Sequence, residues 1–267
     1  MVMREDSDRG KSKVSTISLG GGTYMFSDKP EDLDQEKIYI LQRGLPSLET
    51  YPMESGLLHT DHPTYYPFKN IDERKEEDAM YRVGPRVEPG VDSPFSTLWA
   101  VHFAKEYDCW CVVTRNALWS LKESVIELGK FALDDRKTYL AYDFWEKKFL
   151  GEVKEGLPMR ALKYGSCQVV CLREKLDRPQ FLASTRHVSM DAVSVKDIVW
   201  KEDALTLALD CVENTAETYS IYIPTGFELK KVECEGGEAK AKDIGTDRVL
   251  DVEVKAQRKE VELRLNF

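Results

Sequence analysis

The sequence predicts a mostly β protein, a β-sandwich from about residue 97 preceded by a short α/β segment and an extended connection. Three observations lead there. Short apolar runs recur after residue 97 at regular spacing, separated by turn-forming residues, as in sandwiches or two sheets packed in series. Two of these runs alternate strictly. Leu205, Leu207 and Leu209 stand against Thr206, Ala208 and Asp210, and Val261, Leu263 and Leu265 against Glu262, Arg264 and Asn266, the period of a half-buried strand. A strand-then-helix pattern lies before Pro46.

Residues 1–46 form the first region. Thr16-Ile17-Ser18-Leu19 leads into Gly20-Gly21-Gly22 and the apolar run Thr23-Tyr24-Met25-Phe26, which reads as a buried strand bounded by turn residues. Ser27 or Asp28 is placed to cap a following helix, with Pro30 in its first turn and Glu31 and Asp32 at the positive end of its dipole. Leu33, Ile38 and Leu41 give that helix an apolar face, and Gly44-Leu45-Pro46 stops it. Together they make one β-to-α step, the repeating unit of an α/β barrel.

Residues 47–96 show little periodicity and hold six of the eleven prolines, with Tyr51, Tyr65, Tyr66 and Phe68. So long a connection serves as a linker or as a lid over a site. His59, Asp61 and His62 offer at most three metal ligands, Pro63 follows, and no fourth ligand is evident, so no metal is expected.

Residues 97–267 form the β region, with strands expected over 97–103, 110–114, 138–144, 161–172, 180–184, 198–200, 204–211, 218–223, 228–233, 248–254 and 261–265. The stretch 118–128 reads as a short helix or an irregular excursion. Trp99, Trp110, Trp119, Trp145 and Trp200 are expected in the core, an exposed one being able to form a sugar platform.

Composition narrows the function. The chain has 267 residues and a net charge of −9, a field that repels nucleic acid and anionic membranes. No apolar run nears the roughly 20 residues that span a bilayer. Residues 1–8 are charged and lack an apolar stretch, so no signal peptide and a cytoplasmic location are expected. Cys109, Cys111, Cys167, Cys171, Cys211 and Cys234 lack zinc-site spacing and read as buried thiols. Gly20-Gly21-Gly22 matches neither phosphate-binding glycine pattern, so no nucleotide cofactor is expected. Ser184 and His187 lack the elbow motif of a serine hydrolase.

The segment Ile17-Ser18-Leu19-Gly20-Gly21-Gly22-Thr23-Tyr24-Met25-Phe26-Ser27-Asp28-Lys29-Pro30, followed by Arg43-Gly44-Leu45-Pro46, resembles part of the melibiase-type glycoside hydrolases, in particular the α-galactosidase and raffinose-synthase-like group. The resemblance implies that residues 1–46 are the remnant of a (β/α)8 barrel, its last strand and helix, and that a C-terminal β-sandwich follows. Asp28 and Lys29 then stand at the C-terminal end of a barrel strand, where barrel sites form, and are the candidates for contacting an α-galactoside-like carbohydrate. For Asp28 the helix cap remains the other reading.

The family's two catalytic Asp residues precede the Gly-Gly segment. Only 19 residues precede Gly20 and they contain no Lys-x-Asp, so no catalytic residue is expected here. The function that follows is a non-catalytic C-terminal portion of an α-galactosidase-like enzyme, packing on or completing a catalytic barrel. Its partner would be a separate barrel chain or a second copy, meeting an apolar patch around Tyr24, Phe26, Ile38 and Leu41. The alternative is a free-standing carbohydrate-binding or structural β-sandwich module.

Overall fold

A computed structural model describes residues 6–21, 24–25, 28–48, 98–103, 109–117, 120–242 and 244–267. Among the described residues the chain is mostly β, with two short α-helices ahead of antiparallel sheets.

The first region departs from expectation. Helix α1 spans Ser7–Leu19 and so takes in Thr16–Leu19, the lead-in to the expected strand. Asp6 caps it, accepting from Arg9 N at 3.0 Å, and Asp8 pairs with Lys163. Gly10, Lys11 and repeated Ser make a poor isolated helix. Tertiary contacts hold it instead: Ser12 and Thr16 bond the Asn116 amide, Ser15 accepts from Trp145 Nε1 at 2.9 Å, and Val14 and Leu19 are fully buried.

Tyr24 and Met25 are not in a strand, and Met25 is exposed. Thr23 and Phe26 lie outside the described residues. A strand exists by pairing its backbone, and among the described residues no neighbour runs alongside these two. The Tyr24 ring packs on the core instead, and its hydroxyl donates to Leu41 O at 3.0 Å. No barrel strand is therefore shown. Helix α2 spans Gln35–Gln42 and is capped by Asp34, which accepts from Lys37 N at 2.8 Å. A 3-10 turn at Pro30–Asp32 intervenes, so Asp28 is not the cap. Tyr24 and Leu41 face the core and Ile38 is half-buried, which leaves little of the expected apolar patch.

The β region begins with a five-stranded antiparallel sheet. Its strands are β1 (Leu98–His102), β2 (Cys111–Asn116), β4 (Tyr139–Asp143), β5 (Lys148–Val153) and β7 (Cys167–Glu174), ordered β1-β2-β7-β4-β5. A two-stranded ribbon joins β3 (Ser124–Glu127) to β6 (Gly156–Met159). The excursion expected near 118–128 thus holds β3, with a 3-10 turn at Leu128–Phe131.

A two-sheet sandwich follows. One sheet orders β13 (Gly237–Ala241), β14 (Val249–Ala256), β11 (Ala216–Tyr222) and β8 (Gln180–Ser184). The other orders β12 (Lys231–Glu235), β15 (Glu260–Asn266), β10 (Ala204–Asp210) and β9 (Val195–Lys201). The two alternating runs pair directly, Leu205 with Leu265, Leu207 with Leu263 and Leu209 with Val261, all buried. Opposite them stand Leu250, Val252 and Val254 of β14, also buried. Strand β11 is buried on both faces at its end. Tyr219 and Ile221 share the face of Val252 and Leu250. Ser220 and Tyr222 turn the other way, to the Tyr142 hydroxyl and to the Phe149 ring at 5.8 Å. The five-stranded sheet thus packs on the outer face of the sandwich.

None of the six cysteines is in a disulfide. Trp99 and Trp110 are buried and Trp145 and Trp200 half-buried, so no described tryptophan offers an exposed platform. Trp119 lies outside the described residues, as do His59, Asp61, His62, Tyr65, Tyr66 and Phe68. Among the described residues no helix is long and apolar enough to cross a membrane.

Candidate functional site

Asp28 sits in the turn between α1 and α2 and is 8% exposed, whereas Lys29 beside it is exposed. Just past the end of α2, Gly44 lies against α1 and Tyr24. A Cβ on Gly44 would stand 2.7 Å from Val14 Cγ1 and 3.0 Å from the Tyr24 ring, so only glycine lets the end of α2 lie against α1.

What fixes this segment is a buried polar clamp from the sandwich. His187 is fully buried, its Nε2 3.1 Å from both the Pro46 carbonyl and Ser18 Oγ, its Nδ1 2.8 Å from Ser189 Oγ. Ser189 N donates to Nδ1 at 3.1 Å, so Nδ1 carries no proton and Nε2–H donates toward Pro46. Burial lowers the His187 pKa to about 3, with the Arg186 charge adding to the effect, so the ring is neutral near pH 7. Next to it, Val188 N donates to Arg43 O at 2.8 Å, and Arg186 Nη1 to Leu45 O at 2.9 Å.

The second half of the clamp is ionic. Arg43 Nη1 donates to both Glu217 oxygens and to Thr185 O, Thr185 Oγ1 donates to Glu217 Oε2 at 2.7 Å, and the guanidinium lies 4.5 Å from the Tyr39 ring centroid. A pair this buried needs every such contact to offset its desolvation.

Beside the clamp opens a polar cleft of about 360 Å³, lined by Tyr39, Arg43, Tyr142, Lys147, Glu217 and Asp251, among others. Its charges are already engaged: Glu217 by Arg43, Asp251 by Ser220 Oγ at 2.7 Å, and Lys147 by the Tyr39 ring at 5.0 Å. Neither Asp28 nor Lys29 lines this cleft.

Ser184 and His187 do not form a nucleophile–base pair. Ser184 Oγ donates to Asp191 Oδ2 at 2.9 Å, while His187 is saturated by the clamp. Asp191 is fully buried, and desolvation raises its pKa to about 6 despite bonds from Ser184 and Ser194. Among the described residues no three His, Cys, Asp or Glu side chains are grouped to hold a metal. Ser18, Arg43 and Pro46 lie in the motif-bearing segments, but their partners His187 and Glu217 are more than 140 residues away and carry no local mark that pairs them.

No protein-family model and no curated protein matches the chain. Among solved structures it is similar to a candidate α-N-acetylgalactosaminidase from Bacillus halodurans, with 12% identity, TM-score 0.40, and coverage of 64% of this chain and 33% of that one. It is similar also to a GH27 β-L-arabinopyranosidase from Geobacillus stearothermophilus, at 14% identity, TM-score 0.38, and 63% against 31% coverage. For α-galactosidase I from Mortierella vinacea the values are 4%, 0.38, and 64% against 38%. The chain thus spans about a third of the length of each of these proteins. Values this low transfer no residue's role to this chain.

Proposed function

We propose that the chain is a non-catalytic β portion of an α-galactosidase-like glycoside hydrolase, and that it holds the segment 17–46 as a rigid edge for an adjoining catalytic barrel. The observation that carries this reading is the clamp. Ser18, Arg43 and Pro46, at the two ends of the segment bearing the family-like motif, are tied to the sandwich through His187 and Glu217. Buried polar anchoring of this kind carries a desolvation cost, which fits a segment held in place for a further duty. In this reading the exposed Lys29 and its neighbour Asp28 sit at the edge that meets the barrel and touch an α-galactoside there, in a cytoplasmic enzyme.

The test is reconstitution. The purified chain is mixed with a separately expressed barrel of the same family and assayed on a nitrophenyl α-galactoside. The expected result is a complex on gel filtration and a rise in turnover over the barrel alone, with Lys29→Ala raising KM. Turnover by this chain alone, abolished by one Asp or Glu substitution, overturns the reading, as does a barrel indifferent to its presence.

A further inference from the structure

A second cleft, of about 580 Å³, lies where the β3–β6 ribbon approaches β4, β5 and β7. That size is within the range of small-molecule sites. Its floor is polar and ordered. Asp143, 1% exposed, accepts from Gln168 Nε2 at 2.9 Å and from Glu146 N at 3.2 Å. Arg160 N donates to Gln168 Oε1 at 3.0 Å, which sets the amide so that its NH2 faces the carboxylate. Each Asp143 oxygen keeps acceptor capacity after these bonds.

The walls are of two kinds. Arg160 stands on one side, 3.3 Å from Glu146 and bonded to Cys167 O at 3.1 Å. On the other, the ribbon sets Val125 directly across from Pro158 on its outward face, while Met159 turns inward and is buried, and Leu150 joins them at the cleft. Val125 is 71% exposed, an apolar side chain left outward on a ribbon this short. Two polar atoms of the wall, Ser124 Oγ and Arg160 Nε, are buried without a hydrogen-bond partner, a condition that calls for water or ligand nearby.

The lining charges nearly cancel. Glu123, Asp143 and Glu146 oppose Lys148 and Arg160, so neither an anion nor a cation is selected. A ligand with many hydroxyls along one edge and C–H groups along the other meets both walls at once. We propose that this cleft is a binding site for a neutral saccharide, whose hydroxyls bond Arg160 and Glu146 above the buried Asp143–Gln168 floor and whose apolar face lies on Val125 and Pro158. The cleft lies wholly within the β region and needs no catalytic barrel to be complete.

The test is titration of the ¹⁵N-labelled chain with D-galactose, D-glucose and inorganic phosphate, read by amide shifts. At least one of the two sugars shifts amides of residues 124–127, 143–148 and 156–160, and phosphate does not. Arg160→Gln weakens the sugar roughly tenfold, the scale of one hydrogen bond to a charged group, and Val125→Asp, which sets a charge on the apolar wall, weakens it as well. Both positions are exposed enough to change without unfolding the chain, which the spectrum itself verifies. Lys201→Ala, on an exposed strand end, leaves affinity unchanged. Absence of shifts with both sugars, shifts elsewhere, preference for phosphate, or indifference to both variants overturns the proposal.

Discussion

Arg43 Nη1 lies 2.6 Å from Glu217 Oε2, with side chains only 7% and 11% exposed. One member ends a helix and the other opens a strand 174 residues later. Removing either partner strands a buried charge, which typically costs about 3–5 kcal/mol. Arg43→Met is expected to destabilise by about that amount in urea unfolding. Arg43→Met combined with Glu217→Leu should lose less than the sum of the single changes. A cycle showing simple additivity would mean that the pair is not coupled.

Two buried groups close together should give the protein opposing pH responses. His187 is lowered from 6.5 to about 3, chiefly by burial. Its contribution is therefore present above pH 6.5 and lost as pH falls toward 3. Asp191 is raised from 3.8 to about 6, also by burial. Its contribution is present below pH 3.8 and lost as pH rises through 6. Between pH 4 and 6 the two partly cancel. Asp191→Asn, which tolerates the local φ of 78°, should make stability rise by roughly 2 kcal/mol across that window relative to the parent. His187→Gln should make it fall relative to the parent. Equal slopes in the two variants, measured by denaturant unfolding at each pH, would refute the assignment.

Gly44→Ala should separate the helices without touching the sheets. The added methyl meets Val14 Cγ1 at 2.7 Å and the Tyr24 ring at 3.0 Å. Overpacking of this kind costs about 1–3 kcal/mol. Hydrogen exchange should quicken in α1 and α2 while β10 and β15 keep their protection. Uniform loss of protection would show that the helices unfold only with the body.

Leu207 tests the sandwich core. It is fully buried opposite Leu263, so Leu207→Ala should cost about 2–5 kcal/mol. Val199→Ala on the neighbouring strand, 44% exposed, should change stability by less than about 0.5 kcal/mol. The two midpoints in thermal unfolding suffice to decide.

The sandwich was readable because its strands carry their burial in their own period. Leu205 to Leu209 and Val261 to Leu265 announce which face is covered, and the structure pairs them residue for residue. Other parts carry no such mark. Strand β13, Gly-Glu-Ala-Lys-Ala, has neither branched nor aromatic residues and exists by pairing with β14 at an edge. Helix α1 is written in serines and β-branched residues, and only Asn116, Trp145 and the sheet beneath make it helical. Tyr24 and Met25 read as strand because apolar runs do, yet neither is in a strand: the Tyr24 ring packs on the core and Met25 is exposed. The capping residue moved from Asp28 to Asp34 because the 3-10 turn at Pro30–Asp32 delays the helix. The clamp was invisible for a simpler reason. Ser18 meets His187 across 169 residues, and nothing local records that.

That separation has a bearing on synthesis. The helices leave the ribosome well before the strands that hold them. At roughly 5–20 residues per second, Arg43 waits on the order of ten to thirty seconds before Glu217 is made. During that interval α1 and α2 are too short to persist as helices in water. The contacts of α1 with Asn116 and Trp145 become possible first, and the Arg43–Glu217 pair closes only once β11 has been made.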